Sequence, residues 1–316
     1  MLTAIGKGFA VIGVLYESRE WSDYKLAAEL AEAGCEVRMI DLALADGSDE
    51  WAGAALFGAA LECDLLVSRV FASAVFRGHA YAHELMANLV PVAEARGIAM
   101  VNPPRAHYFE IDKRRAVEEL ARAGIDVPRV QACGTPAELA AVVGLSSEGA
   151  ADEEPAFRAL RYPCIIKPNC GGRTTYTAIA RTDEEARAFL DGAPDFEFIV
   201  EDYLLPERGF VTRIELVDGA CELAVKRSVV DGGLSAYHLG STYQLYHDLP
   251  APVRATAEAA GRALSIEFGS FDIIEAGGRA FVIDANSVSN VSPDNTATFG
   301  GFDLMREYAR AIARRL

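Results

Sequence analysis

Two carboxylates stand inside runs that are otherwise apolar. Ser270-Phe271-Asp272-Ile273-Ile274-Glu275 and Ala280-Phe281-Val282-Ile283-Asp284-Ala285-Asn286 flank Ala276-Gly277-Gly278-Arg279. Paired glycines between two apolar runs signal a hairpin. Closing it at Gly277-Gly278 brings Asp272 toward Asp284, while Asp284 and Asn286, two apart on a strand, face one side. Burying a lone carboxylate is costly, so such groups are paired or bound to a cation. Three hard oxygen donors suit Mg²⁺, with nucleotide phosphates and water completing the octahedron. Spacing alone leaves open a plainer reading, in which the acids end strands at the sheet rim and face water.

Other residues could do related chemistry. Lys167 ends an apolar run before Pro168 and a turn containing Gly171 and Gly172. A lysine there can project over phosphates that the turn's backbone N–H groups cradle. Lys113 opens a second, helical run. Glu201-Asp202-Tyr203-Leu204 leaves an apolar strand toward Pro206-Glu207, and offers backbone N–H and C=O groups to a flat base. Each also reads as a solvated corner, a surface lysine or an acidic loop. Arg69 follows an N-terminal strand, where α/β sheets bind ligands, and is a candidate for a substrate carboxylate. His79 and His83 are spaced i, i+4, but no third metal ligand is evident, which favours a solvated helix face. No Ser-His-Asp or Cys-His arrangement emerges.

These residues need elements to hold them. Strands over 9–15, 36–40, 65–70 and 98–101 alternate with helices over 23–33 and 80–95, which predicts βαβ units and a parallel sheet. Pro103-Pro104 cannot continue a strand ladder and marks the first boundary. A helix over 112–123 follows, and the small, acidic stretch 144–155 reads as an exposed loop. Strands over 164–167, 177–180 and 198–201, with a helix over 183–190, lead to strands over 211–217 and 221–227. Residues 228–248 form a long polar and aromatic loop, with Tyr237, His238, Tyr243, Tyr246 and His247. A helix over 252–265, the hairpin and a helix over 303–313 complete the chain.

Composition narrows the field. The 316 residues are 51% hydrophobic, ample for a packed core, and 30 basic against 46 acidic residues leave a net charge of −16. Such a chain repels phosphate backbones at long range, which argues against general nucleic-acid binding. No apolar run reaches the roughly 18 residues that cross a bilayer. The six cysteines form no CxxC pair, which predicts reduced thiols in a cytoplasmic protein.

The order of these pieces resembles the ATP-grasp superfamily, and within it the carboxylate–amine ligases of the RimK type, with the D-alanine–D-alanine ligases more distant. Asn102-Pro103, Asp112-Lys113 and Gly124-Ile125-Asp126-Val127-Pro128 carry the first part of the likeness, and 198–290 the rest. The resemblance implies an α/β N-terminal domain over 1–102, with a parallel sheet of the pre-ATP-grasp type. An α+β ATP-grasp fold of two subdomains, 103–204 and 205–316, would follow. It implies ATP held by Lys113, Lys167, Gly171, Gly172, Glu201, Asp202, Tyr203 and Leu204, with Glu207 on the ribose. One or two Mg²⁺, for which Mn²⁺ can substitute, would sit on Asp272, Asp284 and Asn286. Arg213 and Arg227 would face the transferring phosphoryl group, and Arg69, Arg173 and Ser289 the substrate. The implied reaction joins a small-molecule or peptide carboxylate to an amine through an acyl phosphate, with no nucleic acid or membrane involved and a homo-oligomer left open. A kinase acting on a hydroxyl and a non-catalytic nucleotide-binding protein are the alternatives. Two departures from the family pattern bear on this: an Asp at 284 where Glu is usual, and Arg173-Thr174-Thr175-Tyr176 where glycines are usual. The loop 228–248 is expected to close over the site as a lid, with His238 or His247 available as a base.

Overall fold

The computed structural model describes residues 10–144 and 159–316, so most of the stretch expected as an acidic loop, 144–155, lies outside the described residues. The chain divides into two compact units, one running to Pro104 and resuming at Val288, the other Arg105–Ser287.

In the first unit, β1 (Val11–Tyr16), α1 (Trp21–Glu32), β2 (Glu36–Asp41), α2 (Glu50–Leu61), β3 (Leu65–Arg69), α3 (Tyr81–Ala95) and β4 (Ala99–Val101) alternate. The strands lie in the order β2-β1-β3-β4 and all pair in parallel, as the βαβ rhythm implies. Ile12, Val14 and Leu15 of β1 are fully buried. A parallel sheet is covered on both faces, so its strands read as apolar runs without alternation. Helix α1 begins before its first apolar repeat because Glu20 and Asp23 form a reciprocal capping box.

The second unit opens with α4 (Pro104–Glu110), which starts at the boundary, and α5 (Lys113–Arg122). Next come β5 (Val130–Gly134), α6 (Pro136–Val142), β6 (Cys164–Pro168), β7 (Ala178–Ala180), α7 (Asp183–Asp191) and β8 (Phe198–Asp202). They build an antiparallel sheet in the order β5-β8-β6-β7. Leu139 and Val142 of α6 and Leu190 of α7 share a core with Ile166 and Phe198 of the sheet. Then β9 (Phe210–Val217), β10 (Ala220–Ser228), β11 (Tyr243–Leu245), α8 (Ala251–Leu264), β12 (Gly269–Ala276) and β13 (Arg279–Asn286) form a second antiparallel sheet, ordered β11-β10-β9-β12-β13. Leu120 of α5 and Leu264 of α8 pack on Ile214, Leu216 and Phe271. Gly269 lets β12 start against the end of β13: a Cβ there would lie 2.3 Å from the Asn286 carbonyl oxygen.

Three features differ from the sequence reading. α2, α4, β5 and α6 were not anticipated; Val-Gln-Ala-Cys-Gly has no alternation, and pairing with β8 is what makes it a strand. The loop 228–248 is not unstructured throughout, because Tyr243–Leu245 pair with the end of β10 as β11. The segment from Val288, expected with 205–316, instead belongs to the first unit. There α9 (Pro293–Thr298) leads to α10 (Leu304–Ala313), whose Leu304, Met305, Tyr308 and Ile312 are buried. Ion pairs Lys25–Asp303 at 3.0 Å and Arg306–Glu29 at 3.2 Å tie α10 to α1. An amphipathic stripe shows that a helix is covered, not which core covers it. No helix among the described residues is long and apolar enough to cross a membrane.

Candidate active site

Both sheets of the second unit line one cleft that encloses about 850 Å³, part of it open solvent. Ile165, Leu204, Val211, Ile274 and Ile283 give it apolar walls, and charged groups gather at one end. A mostly apolar cleft with a few converging polar groups is the usual form of a small-molecule site.

The hairpin closes at Gly277-Gly278 and sets Asp272 directly opposite Asp284. The next pair is Ile273 with Val282, so Ile283 is an extra residue, a β-bulge. A bulge drops one residue from the ladder and redirects its groups. Here the Ile283 carbonyl accepts from Lys167 Nζ at 3.0 Å. Lys167 also pairs with Glu201 Oε2 at 2.8 Å, and the Glu201 side chain is only 1% exposed. Lys113 Nζ, at the start of α5, reaches Asp284 Oδ1 at 2.5 Å. Burial by itself would push the Lys113 pKa down, but the Asp284 carboxylate outweighs it and holds the ammonium above its usual range. Burial likewise pushes Asp284 up, and Lys113 and then Lys167 bring it below the usual carboxylate range.

Asp272 is engaged from the other side. Its Oδ2 accepts from Arg227 Nη2 at 2.7 Å. Its Oδ1 is buried, accepts no hydrogen bond among the described residues, and lies 3.6 Å from Arg213 Nη1. Arg213 does not line the cleft; it stands behind Asp272 and donates from Nε to Glu215 Oε1 at 2.7 Å. Burial disfavours its charge, but Glu215 and Asp272 together raise its pKa above the usual value. Arg227 does line the cleft and donates from Nε to Ser235 Oγ at 2.9 Å.

The described residues contain no cluster of three His, Cys, Asp or Glu able to hold a metal ion. The hairpin offers two carboxylates and the Asn286 amide, whose Nδ2 lies 3.4 Å from Asp284 Oδ2. All three residues carry hard oxygens, and the buried Asp272 Oδ1 lacks a hydrogen-bond donor. Both observations fit Mg²⁺.

The turn after β6 keeps the backbone that glycines would favour. Arg173, Thr174 and Tyr176 have φ of 61°, 54° and 51°. Left-handed backbone costs a residue with a Cβ about 1–2 kcal/mol, and such strain persists where the surroundings impose it. Gly171, Gly172, Arg173, Thr174 and Thr175 line the cleft. Thr174 Oγ1 lies 3.3 Å from His238 Nε2, but neither His238 nor His247 is among the lining residues.

In the segment after β8, the Asp202 carboxylate faces Gln131 and Arg161, and its N–H donates to the Arg129 carbonyl at 3.0 Å. The Tyr203 N–H donates to the Pro163 carbonyl at 3.2 Å. The Leu204 N–H has no hydrogen-bond partner among the described residues, and Glu201 Oε1 is buried without one. The groups left for a ligand are thus the Leu204 amide and the Glu201 carboxylate, not the Asp202 N–H. The Tyr203 hydroxyl donates to the Gly233 carbonyl at 2.9 Å and pins the loop 228–242 beside the cleft. Gly233 has φ of 96°, and a Cβ there would sit 2.6 Å from that hydroxyl. Gly233→Ala is therefore expected to release the loop while leaving both sheets intact. Proteolysis within 229–242 should quicken at nearly unchanged Tm, and a parent-like cleavage rate would show that Tyr203 does not anchor the loop.

Besides Arg213 and Asn286, which are not among the lining residues, three candidates are engaged elsewhere. Glu207 is exposed and accepts from the Gly277 N–H of the hairpin turn at 2.8 Å. Arg69 belongs to the first unit, is 2% exposed, and donates to Asp23 Oδ1, the Ser289 carbonyl and Ser22 Oγ at 3.0, 2.8 and 2.7 Å. Ser289 is fully buried beside it, its Oγ 3.2 Å from the Tyr308 hydroxyl. Arg69 thus closes the C-terminal end of β3 onto the returning chain, which the sequence cannot distinguish from ligand binding. The histidines differ as well: His79 Nδ1 is 3.0 Å from the buried Glu17, and His83 is mostly buried, which lowers its pKa. Residues that sequence reasoning missed include Ser235, Glu215 and the Ile283 carbonyl; the one signal was Glu215, an acid inside an apolar strand.

No protein-family model matches the chain. The probable alpha-L-glutamate ligase of Methanococcoides burtonii is 23% identical over 298 residues, covering 91% of this chain and 90% of the relative. Among solved structures, an ATP-grasp RimK domain protein from Sphaerobacter thermophilus superposes with a TM-score of 0.65 at 18% identity, covering 95% of this chain and 98% of the other. A D-alanine–D-alanine ligase from Bacillus anthracis superposes with a TM-score of 0.64 at 17% identity, covering 97% and 99%.

Proposed function

We propose that the chain is an ATP-dependent carboxylate–amine ligase with the ATP-grasp fold, and that the cleft of residues 105–287 binds MgATP and activates a carboxylate as an acyl phosphate. The observation that carries the site assignment is the convergence of Lys113 and Lys167 on Asp284 and Glu201 at one end of an apolar slot. The slot takes the base, with the Leu204 N–H and Glu201 Oε1 at its edge. The lysines and the turn 171–175 take the phosphates, whose charge replaces the acids as partner of the ammonium groups.

Mg²⁺ on Asp272, Asp284 and Asn286 would neutralise charge on the phosphates and on the transferring group. Arg227, released in part from Asp272, is placed to stabilise that group and the tetrahedral oxyanion that follows. Arg213 acts through Asp272, which it holds in place. A carboxylate is a poor electrophile and phosphate a good leaving group, so phosphorylation precedes attack by the amine. The loop pinned by Tyr203 excludes water from the acyl phosphate. Left-handed backbone at Arg173, Thr174 and Tyr176 supports a phosphate loop kept despite its missing glycines, and weighs against a non-catalytic protein.

L-Glutamate, named in the relative from Methanococcoides burtonii, is the first amino acid to test as substrate. The experiment incubates the chain with MgATP, L-glutamate and a panel of acids and amines, one carboxylate carrying heavy oxygen. Release of ADP and of phosphate bearing one heavy oxygen, with an amide formed in equal amount, is the expected result. A stable phosphoester without free phosphate would make the protein a kinase instead.

A further inference from the structure

Asn169 follows the Lys167-Pro168 strand end and is 4% exposed. All of its hydrogen-bonding capacity is directed at two neighbouring segments. Its Oδ1 accepts from the Arg114 N–H at 2.9 Å, and its main-chain oxygen accepts from the Lys113 N–H at 3.0 Å. Its Nδ2 donates to Asp112 Oδ1 at 3.1 Å and to Glu197 Oε2 at 2.9 Å, while its N–H donates to the Glu197 carbonyl at 2.8 Å. The first N–H groups of a helix have no partner within the helix. In α5 the Arg115 N–H is satisfied locally by Asp112, but those of Lys113 and Arg114 are satisfied by Asn169.

The helix start that carries Lys113 is thus suspended from the strand end that carries Lys167. We propose that Asn169 is the positioning residue that fixes the separation of Lys113 and Lys167 to the spacing of a nucleotide polyphosphate. The inference rests on the reading that both lysines take phosphates. Asn169 does not line the cleft and touches no reacting atom; it acts through the two lysines. The side chain must be a short amide, because one atom accepts from Arg114 while another donates to two carboxylates. Aspartate would add a third carboxylate to Asp112 and Glu197, and alanine would leave the Arg114 N–H without its acceptor and take one donor from each acid.

A double-mutant cycle separates positioning from plain stability. MgADP affinity is measured by calorimetry on the full chain for Asn169→Ala, Lys113→Ala and the double variant, with Asn169→Ser as a milder change that keeps an acceptor for the Arg114 N–H. Asn169→Ala is expected to weaken MgADP about tenfold, near 1.4 kcal/mol, with Asn169→Ser between it and the parent. In the Lys113→Ala background the same change should cost less than about twofold, because no second lysine remains to be misplaced. Tm should fall equally in both backgrounds. Equal fold-losses in the two backgrounds, or parent affinity in Asn169→Ala, would overturn the positioning role while leaving the phosphate reading intact. Parent affinity in Lys113→Ala would overturn the phosphate reading, and this inference with it.

Discussion

Asp284→Asn is expected to lower ligase turnover by at least about a hundredfold, the several kcal/mol that a bound metal supplies to a charged transition state. The cost in stability should be much smaller. The asparagine Oδ1 can still accept from Lys113, and the Asp284 side chain is 27% exposed, so the lost pair is worth about 1 kcal/mol rather than the 3–5 of a fully buried one. Asp272→Asn should cost as much in rate and more in stability. Its side chain is 6% exposed and answers two guanidinium groups, Arg227 at 2.7 Å and Arg213 at 3.6 Å. The sequence alone suggests that two acids in apolar strands repel each other until a cation arrives. The structure differs: each acid already has cationic partners, so neutralising either one removes an attraction. Turnover at saturating Mg²⁺ and Tm, measured on the same preparations, decide the matter. Turnover within a few-fold of the parent in both variants would make the hairpin acids purely structural.

The second large effect concerns Lys167. Lys167→Met strands Glu201, whose side chain is 1% exposed, without its ammonium partner. That should cost about 3–5 kcal/mol of stability, the range for breaking a buried pair from one side. Nucleotide affinity should fall about 10- to 100-fold, as expected for a lost charge-assisted hydrogen bond. These two losses can be separated. Lys167→Met combined with Glu201→Gln leaves no uncompensated charge, so it should regain most of the stability while nucleotide binding stays weak. Recovery of both together would mean that the lysine serves the fold alone. Loss of stability with nucleotide affinity unchanged in the single variant would lead to the same conclusion.

Much of the site is legible in the chain because its pieces are local. The hairpin follows from two apolar runs around Gly277-Gly278, and its closure places Asp272 opposite Asp284. Lys167 at a strand end and Lys113 at a helix start are likewise set by neighbours a few residues away. Only the three-dimensional contacts give them their distant partners: Lys113 the Asp284 carboxylate, 171 positions on, and Lys167 the Ile283 carbonyl, 116 positions on. The bulge that frees that carbonyl has no marker in Phe281-Val282-Ile283-Asp284.

The misplaced candidates share one cause. Arg69, Ser289 and Glu207 are polar groups at the ends of strands or beside turns, where ligand contact and structural hydrogen bonding look alike in sequence. Arg69 is consumed by Asp23, Ser22 and the Ser289 carbonyl, and Glu207 by the Gly277 N–H. The same limit applies to α10, whose apolar stripe is plain in Leu304, Met305, Tyr308 and Ile312 although its partner α1 lies near the other end of the chain.

By itself, then, the sequence determined most of the strands and longer helices, the parallel character of the N-terminal sheet, the hairpin with its opposed acids, and the two lysines. Periodicity, turn chemistry and the cost of burying charge all act within a few residues. Tertiary structure alone decided which acid neutralises which base, that Asn169 joins the two lysine-bearing segments, that residues 243–245 complete a sheet, and where the last helix packs. Those outcomes depend on groups brought together across long stretches of chain, and residue spacing carries no record of such encounters.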